Sequence, residues 1–531
     1  MIFRQTKRAG RRSRANPDFQ QLPYLAVAVA VAGVILFSIF ASGAYFVGPL
    51  TLAIVSAWLM LIVVLLIDPD EVSALRRRPL LPAAGLFAAL WVWTALSLRW
   101  SIAPDLTWTE INRTGGFMAF FLLGAMVGRR RLARGVYAFL FLALITVAAA
   151  YALGTKTLPG TIDNMNNLGR ISVPLQYANA VGLMVALGYP FSLYFAAAKK
   201  SFWALRLFAM LAGLILLVTL FFTLSRGSIA ALVIGMTIYF AIVPLRLRSA
   251  GVMALSLAPT ALIGLWASGQ AALMDNNKPL AARLAAAATL RADLALAAAA
   301  AVIIFVAALL AGRRVTFPPR MCRLAGGFLI GALVLTLVAS AAWFVSSKPS
   351  FSQWARNTYQ SFKSQPATSD ASRLFELNSR ARWMIWQVAI ANWEQHPVIG
   401  TGAQTFPLVY MMQRQQGLIF VKQPHGLDFR LLSELGLVGF GLMAGFIVVT
   451  MSYATSIAVR LKDRWDRALA GTMLAAVVIY LIHTAFDWDW NMAVLTIIYA
   501  FFIGILMGWA GTLPASLPAR TGRGKGNMQD L

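Results

Sequence analysis

Apolar residues in this chain come in long unbroken runs rather than in alternation. Runs of about 17–25 residues, the length a helix needs to cross a bilayer, recur from Tyr24 to Thr512 with short polar joints between them. About fourteen spans are predicted, at roughly 24–46, 48–67, 80–98, 112–128, 135–153, 177–197, 204–222, 226–245, 250–268, 292–312, 325–346, 430–457, 468–486 and 492–512. An outer-membrane barrel would instead show ten-residue segments of alternating character. The pattern predicts an all-α, polytopic integral membrane protein, because helices satisfy their own backbone groups in lipid.

One polar interval interrupts the pattern, from about 347 to 429, and is expected to be a large loop on the outer side that contains helices. Within it, Trp383, Trp386, Ile390 and Trp393 lie near helical spacing, which predicts an amphipathic helix over Arg382–Glu394. Pro397, Gly400 and Gly402 are expected to end it. A second outer segment, about 269–291, is alanine-rich and predicted helical from Lys278 to Arg291. The expected organisation is a basic cytoplasmic N-terminus (1–23), eleven spans (24–346), the loop (347–429), three spans (430–512) and a cytoplasmic tail (513–531). Tyr24–Phe46 is too long for a signal core, so it reads as the first membrane helix rather than a cleaved leader.

Composition agrees. Of 531 residues, 59% are hydrophobic and 12% charged. A net charge of +27 invites a nucleic-acid reading, but the basic residues sit in short clusters between apolar runs, as positive-inside topology requires. With the N-terminus in the cytoplasm, 29 of the 46 basic residues fall on the inner side. That bias supports both termini inside, and no nucleic-acid partner is expected. The single cysteine, Cys322, excludes an intrachain disulfide. His396, His425 and His483 have no metal-ligand spacing, so no metal or other cofactor is expected.

The candidate chemistry lies at the predicted outer boundary. Arg226, in Thr223-Leu224-Ser225-Arg226-Gly227, joins two spans; a guanidinium there either snorkels to headgroups or grips an anion with its planar fork. Arg380 and Arg382 precede the amphipathic helix. His425 can act as a base near neutrality, or simply stand at a loop-to-helix junction. Asp428 is a candidate cap for the next helix. Arg430 and Glu434 are spaced i,i+4 in the less favourable order, which suggests that Glu434 answers to another partner. Arg170 and Asn179 lie in an outer segment, and His483 and Asp487 share another i,i+4 pair beside Trp488, Asp489 and Trp490. No nucleophile elbow and no phosphate loop of the GxxxxGK type is present.

Four stretches resemble the O-antigen ligase and polymerase superfamily. LSRG around Arg226 is similar to its short basic motif. Arg382 with Trp386, then HPVIGTGAQTF, resembles R-x-x-x-W followed by P-x-x-G-x-G. His425 with Glu434, Gly436 and Gly439 matches H-x8-E-x-G-x-x-G, with Gly426 where the family often has Asn or Ser. GRISVPLQYANAVG and HTAFDWDWN resemble patterns of one branch. The resemblance implies metal-independent glycosyl transfer on the outer face of the inner membrane. The donor would be a glycan on undecaprenyl pyrophosphate, and the acceptor a glycan or glycolipid. Arg226 and Arg382 would bind pyrophosphate, with Arg380, Arg170, Arg430, Glu434 and Asp487 as further substrate-binding candidates and His425 as the base. Ligation and polymerisation share this donor. The rival of another class, a transporter of a solute or lipid-linked sugar, would show repeat symmetry and charges at mid-bilayer; no repeat is apparent and the charges gather at the boundary.

Overall fold

The apolar runs fold as helices. The structure, a computed structural model, describes residues 21–75, 79–162, 169–314, 380–414 and 421–512, with a few isolated positions between 324 and 360. Among the described residues it is helical throughout, with no strand. In chain order the helices are α1 (Leu22–Phe40), α2 (Val47–Ile67), α3 (Asp70–Leu75), α4 (Leu80–Leu96), α5 (Pro104–Gly128) and α6 (Arg131–Thr157). Next come α7 (Ala178–Ala197), α8 (Trp203–Thr223), α9 (Arg226–Ile242), α10 (Arg246–Ser268), α11 (Ala271–Met274) and α12 (Leu280–Arg314). The last five are α13 (Arg380–Gln395), α14 (Phe406–Gln413), α15 (Leu427–Arg460), α16 (Arg464–Thr484) and α17 (Ala493–Ala510).

Twelve of these helices are long and apolar enough to cross a membrane, and α9 is a shorter apolar one. Each coincides with a predicted span. The predicted span 325–346 and the loop over 347–379 fall largely outside the described residues. The predicted span 292–312 and the alanine-rich helix before it are one element, the 35-residue α12, about 52 Å long at 1.5 Å per residue.

The fourth span begins at Pro104 rather than 112 and lies inside the bundle: 83% of its apolar window is buried. Its first turns carry Glu110 and Arg113, which lowers its hydropathy, but protein rather than lipid surrounds them. Along its other half α5 packs on α17 through reciprocal glycines four residues apart. A Cβ added at Gly124 or Gly128 would lie 2.3 or 2.1 Å from the carbonyl oxygens of Phe501 and Ile505. At Gly504 and Gly508 it would lie 2.1 and 1.8 Å from those of Phe121 and Ala125. Small residues at this spacing let helix backbones approach in lipid, where no hydrophobic force drives association. The contact fixes the segment leading into α17 against the start of α5.

At the opposite end of the bundle, Tyr24 donates to Asp68 (2.6 Å) and Glu71 (2.8 Å), and Arg129 and Arg130 pair with Glu71. These contacts tie α1, α3 and the α5–α6 joint together.

Candidate functional site

The site is built on a broken helix. Gly436 in α15 has φ +64° and ψ −165°, so the i→i−4 ladder fails there. The orphaned groups are satisfied by α13, the loop after it and α4. Ser433 O accepts from Asn392 Nδ2 (2.9 Å), Glu434 O from Gly402 N (2.9 Å) and Leu435 O from Trp93 Nε1 (3.1 Å). In return Leu437 N donates to Pro397 O (2.9 Å) and Val438 N to Val398 O (3.3 Å). Two left-handed glycines make the approach possible. A Cβ at Gly400 would stand 2.3 Å from Glu434 O, and one at Gly436 2.2 Å from Val398 O.

Beneath this junction lies a buried charge network. Glu434 accepts from Arg430 Nε (3.0 Å) and from the backbone N–H of Gln404 (2.7 Å) and Phe406 (3.4 Å). Glu434 therefore answers both to its helical neighbour and to the loop. Arg430 Nη2 also reaches Glu110 (2.8 Å) and Gln404 Oε1 (2.9 Å), and Glu110 pairs with Arg113 and accepts from Trp490 Nε1 (2.7 Å). A buried ionic group is tolerated when it is paired and hydrogen-bonded, and here four elements supply the partners of Glu110, Arg430 and Glu434.

Above it, one carboxylate gathers the remaining residues. Asp487, in the turn between α16 and α17, is 1% exposed, whereas the side chains of Arg382 and His425 are 26% and 20% exposed. Arg382 Nη2 lies 2.9 Å from Asp487 Oδ2, and His425 Nδ1 lies 3.3 Å from Oδ1. Tyr177 donates to Oδ1 (2.8 Å) and Asn179 to Oδ2 (2.7 Å). Arg170 stands behind, with Nη2 on Asn179 Oδ1 (2.6 Å) and Nε on Thr223 O (2.7 Å). Burial alone would push the Asp487 carboxyl up, but Arg382, then His425, outweigh it and hold it well below the usual carboxylate range. Burial and the Asp487 charge push the Tyr177 phenol far up, so it remains a donor.

The R-x-x-x-W spacing now has a physical reading. Arg382 and Trp386 are one turn apart on α13. The first holds Asp487, and the second donates its indole N–H to His425 O (3.0 Å) while stacking on Phe429, with centroids 4.9 Å apart. Gly426 lets this corner close: a Cβ there would meet Phe429 at 2.9 Å and Ala485 O at 3.2 Å. The N-cap of α15 is Gly426 rather than Asp428, which sits in the first turn, where the helix dipole favours an acid.

A second acid–histidine pair is closed to solvent. His483 Nδ1 lies 2.6 Å from Asp489 Oδ2, and its Nε2 lies 3.0 Å from Ser228 Oγ. Burial raises the Asp489 carboxyl, with His483 opposing. Arg226 opens α9 two residues before Ser228, and Ser225 caps that helix.

Arg382, His425, Asp487 and Arg170 are thus joined in one network. Arg226 lies on the adjoining turn, and Arg430 and Glu434 lie in the layer below. Of Arg380, the backbone of α13 is described but the side chain is not. The amphipathic helix is present, but its buried face is Ile385, Val388, Ala389 and Asn392 rather than the tryptophan stripe. Glu110, Gln404, Tyr177, Asn491 and Ser228 carry no sequence signal that singles them out as site residues, and Asp489 stands out only as the neighbour of Asp487. The weaker signals are polarity inside an apolar run for Glu110, and the turn-prone composition around Gln404.

Backbone strain marks the same place. Among the described residues six non-glycine residues hold φ values that such residues avoid: Gln176 (62°), Leu224 (48°), Gln404 (62°) and His425 (53°) around the site, and Ser42 (54°) and Ala44 (51°) in the joint between α1 and α2. Such positions cluster where surrounding structure enforces a functional geometry.

A family model described as O-Antigen ligase matches residues 279–444, a stretch that includes α13, the loop and the break in α15. No curated protein matches the chain significantly.

Proposed function

Taking the O-antigen ligase/polymerase superfamily as the family to which this multi-pass membrane chain belongs, we propose that it transfers a glycan from undecaprenyl pyrophosphate to an acceptor hydroxyl. The site end of the bundle would face the outer side of the inner membrane, with both termini in the cytoplasm. The observation that carries this reading is the shared carboxylate: Asp487 holds a guanidinium on one oxygen and an imidazole on the other, both partly exposed.

In this reading the acceptor oxygen attacks the anomeric carbon, the bond from that carbon to the pyrophosphate oxygen breaks, and the electron pair leaves on pyrophosphate. The acceptor proton passes to His425. With Asp487 ionised, Nδ1 carries a proton toward it, which leaves Nε2 basic and directed to substrate. Arg382 and Arg226 stabilise the charge that develops on the leaving group. Asp487 orients both and does not itself touch donor or acceptor. Arg170 acts through Asn179, and Arg430 and Glu434 set the loop that carries α13. The guanidinium groups take the place of a divalent ion, so transfer is metal-independent. The same geometry serves ligation to a glycolipid and polymerisation onto another lipid-linked chain.

The direct test is a deletion strain, with surface polysaccharide resolved on gels and lipid-linked intermediates quantified in parallel. Loss of polysaccharide with accumulation of the lipid-linked glycan is expected. Unchanged levels of both would sink the proposal.

A further inference from the structure

The turn Asp487-Trp488-Asp489 carries two acids, and each faces a histidine. Asp487 faces His425 at the open side of the site. Asp489 faces His483, and in that pair both side chains are 1% exposed. The buried pair continues to Ser228, itself fully buried, in an order that resembles a nucleophilic triad. No substrate reaches an Oγ so enclosed, so the arrangement needs another explanation.

We propose that His483 is a positioning residue that locks the Arg226 turn against the Asp487 segment. This rests on the reading of Arg226 and Asp487 as parts of one transfer site. One rigid ring grips both sides at once: Nδ1 holds Asp489, two residues from Asp487, and Nε2 holds Ser228, two residues from Arg226. The same ring faces Gly227 in that turn, where an added Cβ would be in ordinary contact, 3.5 Å from His483 Cδ2 and Nε2. Ser228 Oγ also lies 2.8 Å from Ser225 Oγ, within the turn, and donates to Asn179 O at 3.2 Å. The side chain of that asparagine holds Asp487. The strut therefore fixes Arg226, Asn179 and Asp487 relative to one another from below. Neither shorter amide can replace it: asparagine reaches Asp489 and glutamine reaches Ser228, but neither spans both.

The full chain in lipid nanodiscs tests this. Cys322→Ser removes the single native cysteine, and nitroxides are attached at Ala230→Cys on α9 and Phe486→Cys beside Asp487, both exposed positions outside the proposed machinery. The parent should give one narrow distance distribution. His483→Ala should broaden it, His483→Gln and His483→Asn should restore it in part, and His425→Ala should leave it narrow. Ser228→Ala, a smaller change, should also broaden it, which keeps the test open if His483→Ala does not fold. In transfer assays His483→Ala should lose on the order of 10²-fold in kcat/KM for a lipid-linked donor, the cost of a misplacement near 1 Å, while the pH profile keeps its shape. A distribution that stays narrow in both His483→Ala and Ser228→Ala overturns the strut, whatever the rates. If the distributions change as expected but the parent transfers no glycan, the strut stands and the transferase reading fails.

Discussion

Asn179 and Asp487 lie 308 positions apart, and the amide of the first donates to the carboxylate of the second at 2.7 Å. The amide cannot turn away, because Arg170 holds its oxygen at 2.6 Å. One arginine thus sets the direction of a hydrogen bond to the acid that gathers the site. Arg170→Ala should therefore act through Asp487. We expect transfer to fall by roughly 10-fold, and the loss should shrink strongly when Asp487→Asn is already present, as coupled residues require. A double-mutant cycle on purified enzyme measures this; additive losses would separate Arg170 from Asp487.

Asp487→Asn keeps the shape of the hub but removes the charge that pairs Arg382 and sets the tautomer of His425. Turnover should fall by about 10²-fold or more, near the effect of losing the base itself, typically about 10²–10⁴-fold. His425→Ala should fall as far while donor binding is kept. Kinetics normalised to folded protein check both, and near-normal turnover in His425→Ala would return that histidine to a junction role.

The depressed Asp487 carboxyl sets a stability limb in acid. A group whose folded value lies below its ordinary one contributes fully above the ordinary carboxylate range, near pH 4, and the contribution fades as pH drops through the folded value. Melting in detergent should be insensitive to this group between about pH 5 and 8 and fall below about pH 4. Asp487→Asn should flatten that limb. A parent whose melting point instead rises as pH falls through 4 would show the sign to be wrong.

Arg226 and Arg382 differ from lysine in geometry as much as in charge. Lysine keeps the charge but loses the bidentate fork. At either position Lys should be impaired and Ala more so, with EDTA without effect on the parent. A chelator-sensitive parent restored by a divalent ion would direct attention to Asp487 and Asp489.

Gly436→Ala tests the broken helix. Its φ of +64° and a Cβ 2.2 Å from Val398 O leave no room for a side chain. Stability and transfer should fall together, with the backbone term alone of order 1–3 kcal/mol. An unchanged melting temperature would mean that the loop docks by other contacts.

The helices were legible because lipid demands long apolar runs, and nearly every described span coincides with one. The centre was less legible: the predicted span 112–128 is short and carries Arg113 near its start, yet α5 is more enclosed by protein than α1, α2, α4 or α6. The arginines, the histidine and the acid of the site were visible as polar residues at helix ends. Their convergence was not, since Arg382 meets Asp487 across 105 positions and Ser228 meets His483 across 255. On α13 the tryptophan spacing predicts the helix but not its most buried face: Ile385, Val388 and Ala389 are buried, while Trp383, Trp386 and Trp393 are half-buried.

The repaired break in α15 has a mechanical consequence. The loop 397–402 supplies the bonds that the helix lacks, so neither half can leave without stranding backbone groups at the edge of hydrocarbon, at several kcal/mol each. The loop thus bonds to both halves of α15 and ties α13 to them as one rigid unit across the break at Gly436. Arg382 on α13 and His425 at the head of α15 ride on that unit, so the backbone itself sets their spacing.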